Sequence, residues 1–438
     1  MKVGLALPFF ACTFCLSSTA SADFISDSNA SIYLRNFYFD NDTRNAVGRT
    51  AEWGQGAVLN YRSGYTAGTV GFGVDAIGMV GLRLDGGRGK HKGSTMIPDE
   101  SDGSARDEWS RAAASAKLKV SKTVLRYGDS LQPMLPVLKS NDGRLLPQTY
   151  SGGILTSNEI DNLTLVAGQL EHMVGRASTN ESGFAVGGPS GQLMPQSNQF
   201  RFAGVDWKAT PELLLQYYYA NMEDYYTQHF AGLQHTLPID SDKSLTTDLR
   251  YFVADADGAN ASASGRRQGY RLGGYTRGNT GEIDNNTWSA AFTYRQGSHS
   301  FMLGHQRVSD NSNFVNPNQG GTGEGAGGTS NYILTDRLVF NFTRAGERTS
   351  FAQYDYTFAD FGLPGLCAGV AYLSGSHIRN TRSEAQSEWE RDITMDYLVQ
   401  TGTFKGLKFS WRNGSLRGNA TTEQDQNRLI VGYSIPLL

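Results

Sequence analysis

Along much of this chain apolar and polar positions alternate with a period of two. Leu245, Thr247, Leu249, Tyr251 and Val253 occupy one parity, and Thr246, Asp248, Arg250 and Phe252 the other. Trp288, Ala290, Phe292 and Tyr294 alternate in the same way with Thr287, Ser289, Ala291, Thr293 and Arg295. So do Ala352, Tyr354, Tyr356 and Phe358 with Gln353, Asp355 and Thr357. Leu407, Phe409 and Trp411 alternate with Lys408, Ser410 and Arg412, and Leu429, Val431, Tyr433, Ile435 and Leu437 with Arg428, Ile430, Gly432 and Ser434. Successive side chains of a strand point to opposite faces, so each segment predicts a strand with one apolar and one polar face.

The connections are of two kinds. Tight turns are predicted at Ala359 to Gly365, where Gly362, Pro364 and Gly365 supply the turn chemistry, and at Gln296 to Ser300. Long polar loops are predicted at Gly86 to Arg106, Ser309 to Tyr332 and Ser374 to Glu388. Short turns at one end and long loops at the other predict an all-β fold, a transmembrane antiparallel up-and-down β-barrel. A soluble β-sandwich or β-propeller would alternate too. It would not load its apolar parity with Tyr, Phe and Trp near strand ends, as membrane girdles do. Nor would a packed core accept Asp248, Arg250, Asp355, Lys408 and Arg412 unpaired, whereas a water-filled lumen would.

Composition supports this reading once the alternation is known. Among 438 residues there are 52 Gly, 22 Phe, 21 Tyr and 6 Trp, which argues against disorder. The mean hydropathy of −0.40 looks soluble, but only alternate residues of a barrel strand face lipid. A net charge of −3 carries no basic bias towards nucleic acid. Helical spans are excluded after residue 22, since no run approaches the ~18 apolar residues such a span needs. At about 23 residues per strand and its connection, the length predicts one barrel of roughly 18 strands, wide enough for an aqueous channel.

The N-terminus reads as a secretory leader. Lys2 precedes an apolar stretch from Val3 to Leu16, and the small residues from Ser17 end in Ala20-Ser21-Ala22. Cleavage after Ala22 would leave residues 23–438 as a single barrel domain. Phe14 before Cys15 is too bulky for a lipoprotein cleavage site. Two of the 3 Cys lie in the leader, so Cys367 is the remaining thiol and no internal disulfide is expected.

Several segments taken together resemble the OprD-type porins, the Occ family of outer-membrane carboxylate channels. They are Leu34-Arg35-Asn36-Phe37-Tyr38-Phe39, Glu52-Trp53-Gly54-Gln55-Gly56, Gly68 to Ala76, Asn141 to Thr149, Glu223-Asp224-Tyr225-Tyr226, Glu388-Trp389-Glu390-Arg391-Asp392 and Arg428 to Val431. The resemblance runs from about Phe24 to Leu438. It implies an 18-stranded outer-membrane porin of a Gram-negative bacterium that admits small carboxylate-bearing solutes by diffusion past a row of basic residues. Leu145-Leu146 resembles the branch for monocarboxylic, often aromatic, acids, with basic amino acids as a second class. Implied partners are outer-membrane lipid and, during biogenesis, periplasmic chaperones and the barrel-assembly machinery; the implied state is a monomer or weak trimer.

In that family the third extracellular loop folds inward. Here the matching stretch is Pro133 to Gly153, stiffened by Pro133, Pro136 and Pro147. Arg144 would then present its guanidinium in the constriction, or else tie the loop to the wall by a salt bridge. Periodicity independently puts Lys408, Arg412 and Arg428 on the lumen parity of the last two strands, where cations lower the barrier to an anion. Each could instead sit at a strand end at headgroup level. Asp336 would oppose Arg144 across the eyelet, or be an ordinary solvated loop acid. Ser410 stands where relatives can carry Arg, and Arg44 and Arg49 lie near basic positions of some relatives.

Enzymatic chemistry finds little support. The 7 His lack metal-ligand spacing, no nucleophile elbow is present, and Cys367 has no evident base. The glycine-rich run from Gly320 to Gly328 lacks the Lys-Ser/Thr of a phosphate loop and reads as a loop. No cofactor or metal is expected. The alternatives in other classes are a barrel hydrolase of lipase or protease type and a structural or adhesin barrel with a closed lumen.

Overall fold

Each alternating segment forms a strand in the computed structural model, which describes residues 24–44, 48–93, 96–188, 193–320, 328–381 and 385–438. The long strands are β1 (Asn29–Thr43), β2 (Gly48–Arg62), β3 (Val70–Asp85), β4 (Glu108–Val120), β5 (Thr123–Leu131), β6 (Thr149–Ser157), β7 (Leu163–Val174), β8 (Phe200–Thr210) and β9 (Leu213–Met222). They continue as β10 (Tyr226–Asp240), β11 (Lys243–Ala256), β12 (Asp284–Gln296), β13 (His299–Val308), β14 (Arg348–Thr357), β15 (Leu366–Ile378), β16 (Gln386–Leu398), β17 (Lys408–Gly418) and β18 (Gln424–Pro436). Each pairs antiparallel with its chain neighbours. β1 closes the ring on β18, from Ser31 opposite Pro436 to Thr43 opposite Gln424. The fold is a closed antiparallel barrel of 18 strands, which leaves no sheet edge to be satisfied in lipid.

Connections at one end are short, as at 121–122, 211–212, 241–242 and 297–298, and Gly297 takes a left-handed φ of 54° in its turn. The predicted turn after β14 contains a short 3-10 helix, Phe358–Phe361, ended by left-handed Gly362. At the other end lie the long connections 86–107, 132–148, 175–199, 257–283 and 309–347. Three predicted loop boundaries move. The loop from Ser309 runs to 347 and not to Tyr332, because the next barrel strand begins at Arg348. Ser374 to Glu388 is mostly strand, because β15 and β16 pair as far as Ile378 opposite Gln386. The inward loop ends at 148 and not at 153, because Thr149 already pairs with Val174 of β7. The leader, residues 1–22, and most of the glycine-rich run, residues 321–327, lie outside the described residues.

The parities sort as predicted. Phe72, Tyr127, Trp207, Trp288, Phe292, Leu303 and Leu429 stand exposed on the outer face. Thr246, Phe252, Ala291 and Phe351, on the opposite parity, are buried inside. The interior has two kinds of wall. On β6 to β11 it is apolar towards the long loops, with Tyr150, Leu170, Phe200, Phe202, Tyr218, Phe230 and Phe252 packed against loop residues Phe184, Val186, Phe314 and Ile333. Next to this packing sit Asp206, Gln216, Asp248 and Arg250, bonded to one another and to Tyr218 and Tyr332. On β16 to β18 and β1 it carries charge.

Candidate functional site

Two of the loops that enter the barrel border its basic passage, and they are fixed by different means. Residues 132–148 fold back through a hairpin in which Met134–Leu135 pairs with Leu138–Lys139. The loop then presses Leu145 onto β2 at Gly54 and Gly56. A Cβ on Gly54 would lie 2.8 Å from Leu145 Cδ2 and one on Gly56 3.1 Å from the Leu145 carbonyl oxygen, so the two glycines let the loop lie this close to the wall. Asp142 takes a two-pronged ion pair from Arg35 of β1, at 2.8 and 2.9 Å. Gln148 Oε1 accepts from the Asn141 amide at 2.9 Å and from the Tyr150 hydroxyl at 3.0 Å, closing the loop on itself.

From the 309–347 connection, the described residues 328–347 meet an acidic ladder on the inner face of β16. Glu390 is fully buried and accepts the backbone N–H groups of Val339 and Phe340 at 2.8 and 2.9 Å. Glu388 holds Arg344 at 3.2 Å, and Asp392 accepts from the Leu338 amide. Charge-assisted acceptors of this kind satisfy backbone donors that would otherwise be buried without water. Tyr332 completes the anchoring: its ring lies 4.1 Å under the Arg250 guanidinium and its hydroxyl donates to Gln216 at 3.2 Å. The two loops touch each other, the Ser330 amide donating to the Lys139 carbonyl at 3.0 Å.

Between them remains a cavity of about 210 Å³ lined by Tyr33, Arg35, Asp142, Leu338, Lys408, Ser410, Arg412 and Arg428 among others. Strand register stacks these cations: Arg412 stands opposite Arg428, and Lys408 opposite Gly432, which in turn faces Arg35. Asp396 holds Arg412 at 2.7 Å and Lys408 at 3.3 Å. Arg428 donates to Gln426 at 2.7 Å and to the Leu338 carbonyl. Each cation is thus oriented by a neighbour, and the guanidinium forks retain further donors for a solute.

The predicted row is brought together only in part. Lys408, Arg412 and Arg428 share the cavity, with Ser410 among them. Arg144 does not line it. Its side chain is buried, with the guanidinium 4.5 Å above the Phe39 ring and donating to the Gly143 carbonyl at 2.9 Å. Burial and the neighbouring charges of Arg176 and Arg428 push its pKa down, Glu52 acting the other way. Asp336 accepts from the Asn331 amide at 3.0 Å, and its charged neighbours are Lys139, Arg176 and Arg337 instead of Arg144. Burial raises its pKa against those cations. Arg44 and Arg49 pair with Asp425 and Asp40 on the outer side near the loop rim. Cys367 is exposed at the short-turn end.

Three basic residues escaped the sequence reading. Arg35 stood inside a quoted segment without a role. Arg111 of β4 ties the end of the 132–148 loop to the start of the 175–199 connection, donating to the carbonyls of Pro147, Val174 and Gly175. Arg176 lies on a connection with no periodicity to mark it, and burial pushes its pKa down to about 10, with Asp336 opposing.

A closed membrane barrel of this girth, with loops folded in to leave a narrow polar passage, defines an outer-membrane porin: a channel, not an enzyme. The chain matches the outer membrane porin, OprD family, over residues 22–437, and it belongs to that family. It is 34% identical to "Porin D" of Pseudomonas aeruginosa over 431 residues, 95% of this chain and 92% of that one. The crystal structure of P. aeruginosa OccK8 (OprE) superposes with a TM-score of 0.88 at 48% identity, covering 95% of this chain and 100% of that one. P. aeruginosa OpdK, solved with vanillate, superposes at 0.81 with 32% identity, covering 94% and 100%.

Proposed function

We propose that this porin passes small carboxylate-bearing solutes, with aromatic and other monocarboxylic acids favoured and basic amino acids as a second class. One observation carries the reading: the cavity between the inward loops is lined by Arg35, Lys408, Arg412 and Arg428, four cations against two carboxylates, Asp142 in the lining and Asp396 beside Lys408 and Arg412. Guanidinium forks match a carboxylate in shape as well as charge. Several weakly held positions in succession let an anion move on without being trapped. The vanillate carried by OpdK, a relative of the same family, is a small aromatic carboxylate and fits the favoured class.

Uptake into proteoliposomes of benzoate, arginine and a neutral sugar tests the proposal. Benzoate enters faster than the sugar, and Arg412→Ala slows benzoate by about tenfold while the sugar slows by less than twofold. Equal slowing of both would refute an electrostatic role. We further propose that residues 1–22 are removed on export, that the barrel-assembly machinery inserts the protein, and that it works as a monomer or weak trimer. N-terminal sequencing of the mature protein, beginning at Ser21, Ala22 or Asp23, locates the cut, which the proposal sets before Asp23.

A further inference from the structure

Below the hairpin of the 132–148 loop, at the short-turn end, the wall next to β1, beginning at β2, holds a second cavity of about 340 Å³. It is separate from the basic cavity and shares none of its lining. Its polar side comes from the ends of β2, β3 and β5: Arg62, Asp75 and Arg126. Its apolar side comes from Leu131, Leu135 and Ile154.

The charges in it are unevenly matched. Asp75 accepts Lys117 at 2.7 Å and Arg126 at 3.2 Å, so one carboxylate already serves two cations. Lys117 is buried and spends a second donor on the Ser63 carbonyl at 2.7 Å. Arg62 stands opposite Asp75 in the strand register, is exposed, and has no carboxylate partner among the described residues. Ser115 and Ser130, which also line the cavity, are bonded to each other at 2.7 Å and do not compete for it. An exposed guanidinium therefore points into water beside an apolar patch formed by the constriction loop's own stem.

We propose that this cavity is a second solute site, taking amphipathic monocarboxylates on the periplasmic side of the eyelet. The carboxylate meets Arg62 and the free donors of Arg126, and the apolar body lies against Leu131, Leu135 and Ile154. A solute leaving the Arg35, Arg412 and Arg428 cavity thus finds cations on the adjoining wall, while its ring leaves water. The proposal rests on the carboxylate reading above, and extends it to a preference for acids with an apolar body of ring size over short ones. The volume suits one small aromatic acid, since specific small-molecule sites begin at ~300 Å³.

Planar bilayers holding the refolded full-length porin test it, with benzoate or acetate added on the periplasmic side as blockers of chloride current. The benzoate concentration for half-block rises about tenfold in Arg62→Gln, the loss of one charge-assisted fork. It rises several-fold in Leu135→Asn, which keeps every charge. Acetate block shifts much less than benzoate block in Leu135→Asn. Lys122→Gln, which removes a cation from the exposed turn at the same end, leaves benzoate block unchanged. Benzoate block unaltered by both cavity variants would overturn the second site while leaving the first intact. Absence of preference for benzoate over a neutral sugar in the unsubstituted channel would instead overturn the carboxylate reading itself.

Discussion

The two sides of the lumen hold their loops by opposite physics. On β6 to β11, Phe200, Phe202, Tyr218, Phe230 and Phe252 meet Phe184 and Phe314, with Phe230 and Phe252 ring centroids 4.7 Å apart. At the level of the loops that side is packed like the core of a soluble protein. On β16 to β18 and β1, loops are held by carboxylates that cage backbone amides and by arginines that pin carbonyls, and water-accessible charge remains between them. Filling one side of the bore with hydrophobic packing confines solutes to the other. An 18-stranded ring would otherwise leave a wide, unselective hole; here the apolar half sets the size of the passage and the charged half sets what passes.

The largest effect is expected from opening the apolar side. Phe230→Ala removes a ring buried against Phe252, Tyr218 and Tyr332, and large-to-small changes of this kind cost about 3–5 kcal/mol. Thermal unfolding of the refolded barrel in detergent drops, and single-channel conductance rises as the loops loosen. Unchanged conductance would show that these loops do not set the bore.

A smaller effect is expected on the charged side. Glu390→Gln replaces an acceptor-only carboxylate by an amide that offers donors towards Val339 and Phe340. Losing a buried charge-assisted pair of this kind costs about 1–3 kcal/mol. Loop 331–347 then fluctuates, seen as added open-channel noise and faster amide exchange at Val339 and Phe340. Exchange as slow as in the unsubstituted protein would mean that Tyr332 and Arg344 hold the loop alone.

How much of this was readable beforehand differs between the two sides as well. Alternation placed Thr246, Asp248, Arg250 and Phe252 inside, because a barrel strand imposes a period of two regardless of what its inner face meets. It placed Lys408, Arg412 and Arg428 inside for the same reason. It could not say that Phe252 and Phe230 face packed loops while Arg412 faces water, since both lie on the inner parity and the partners lie far away in the chain. The same limit applies to Glu388, Glu390 and Asp392. Their spacing by two marks one face, but only the fold shows backbone amides of 338–340 arriving there. Arg144 illustrates the converse. Its motif placed it in the inward loop, yet the adjoining Leu145 docks so closely on Gly54 and Gly56 that the guanidinium ends over Phe39 and out of the open passage.

The smallest effect concerns the loop rim. His91 bridges Glu52 at 2.5 Å and Asp99 at 2.6 Å, and Glu52 also accepts the Met96 amide at 3.0 Å. Burial acts to lower the pKa of His91, but the bonds and charges of the two carboxylates raise it above its ordinary 6.5. The charged histidine therefore supports this loop fully below that value, and the support fades as pH rises through the raised one. Amide exchange at Met96 and Ile97, corrected for intrinsic rates, should accelerate across that interval by a few-fold. Protection independent of pH would show that Glu52 holds the loop without the histidine.

The division of the lumen is tested most directly by thiol labelling during conductance recording, in a Cys367→Ser background. Ser410→Cys lies in the basic cavity, and Ala220→Cys lies on the inner face of β9 beneath the packed loops. A negatively charged methanethiosulfonate should react with the first and reduce its current, and leave the current of the second unchanged. Rapid block of Ala220→Cys with no effect on Ser410→Cys would place the water path along the apolar wall and contradict the account.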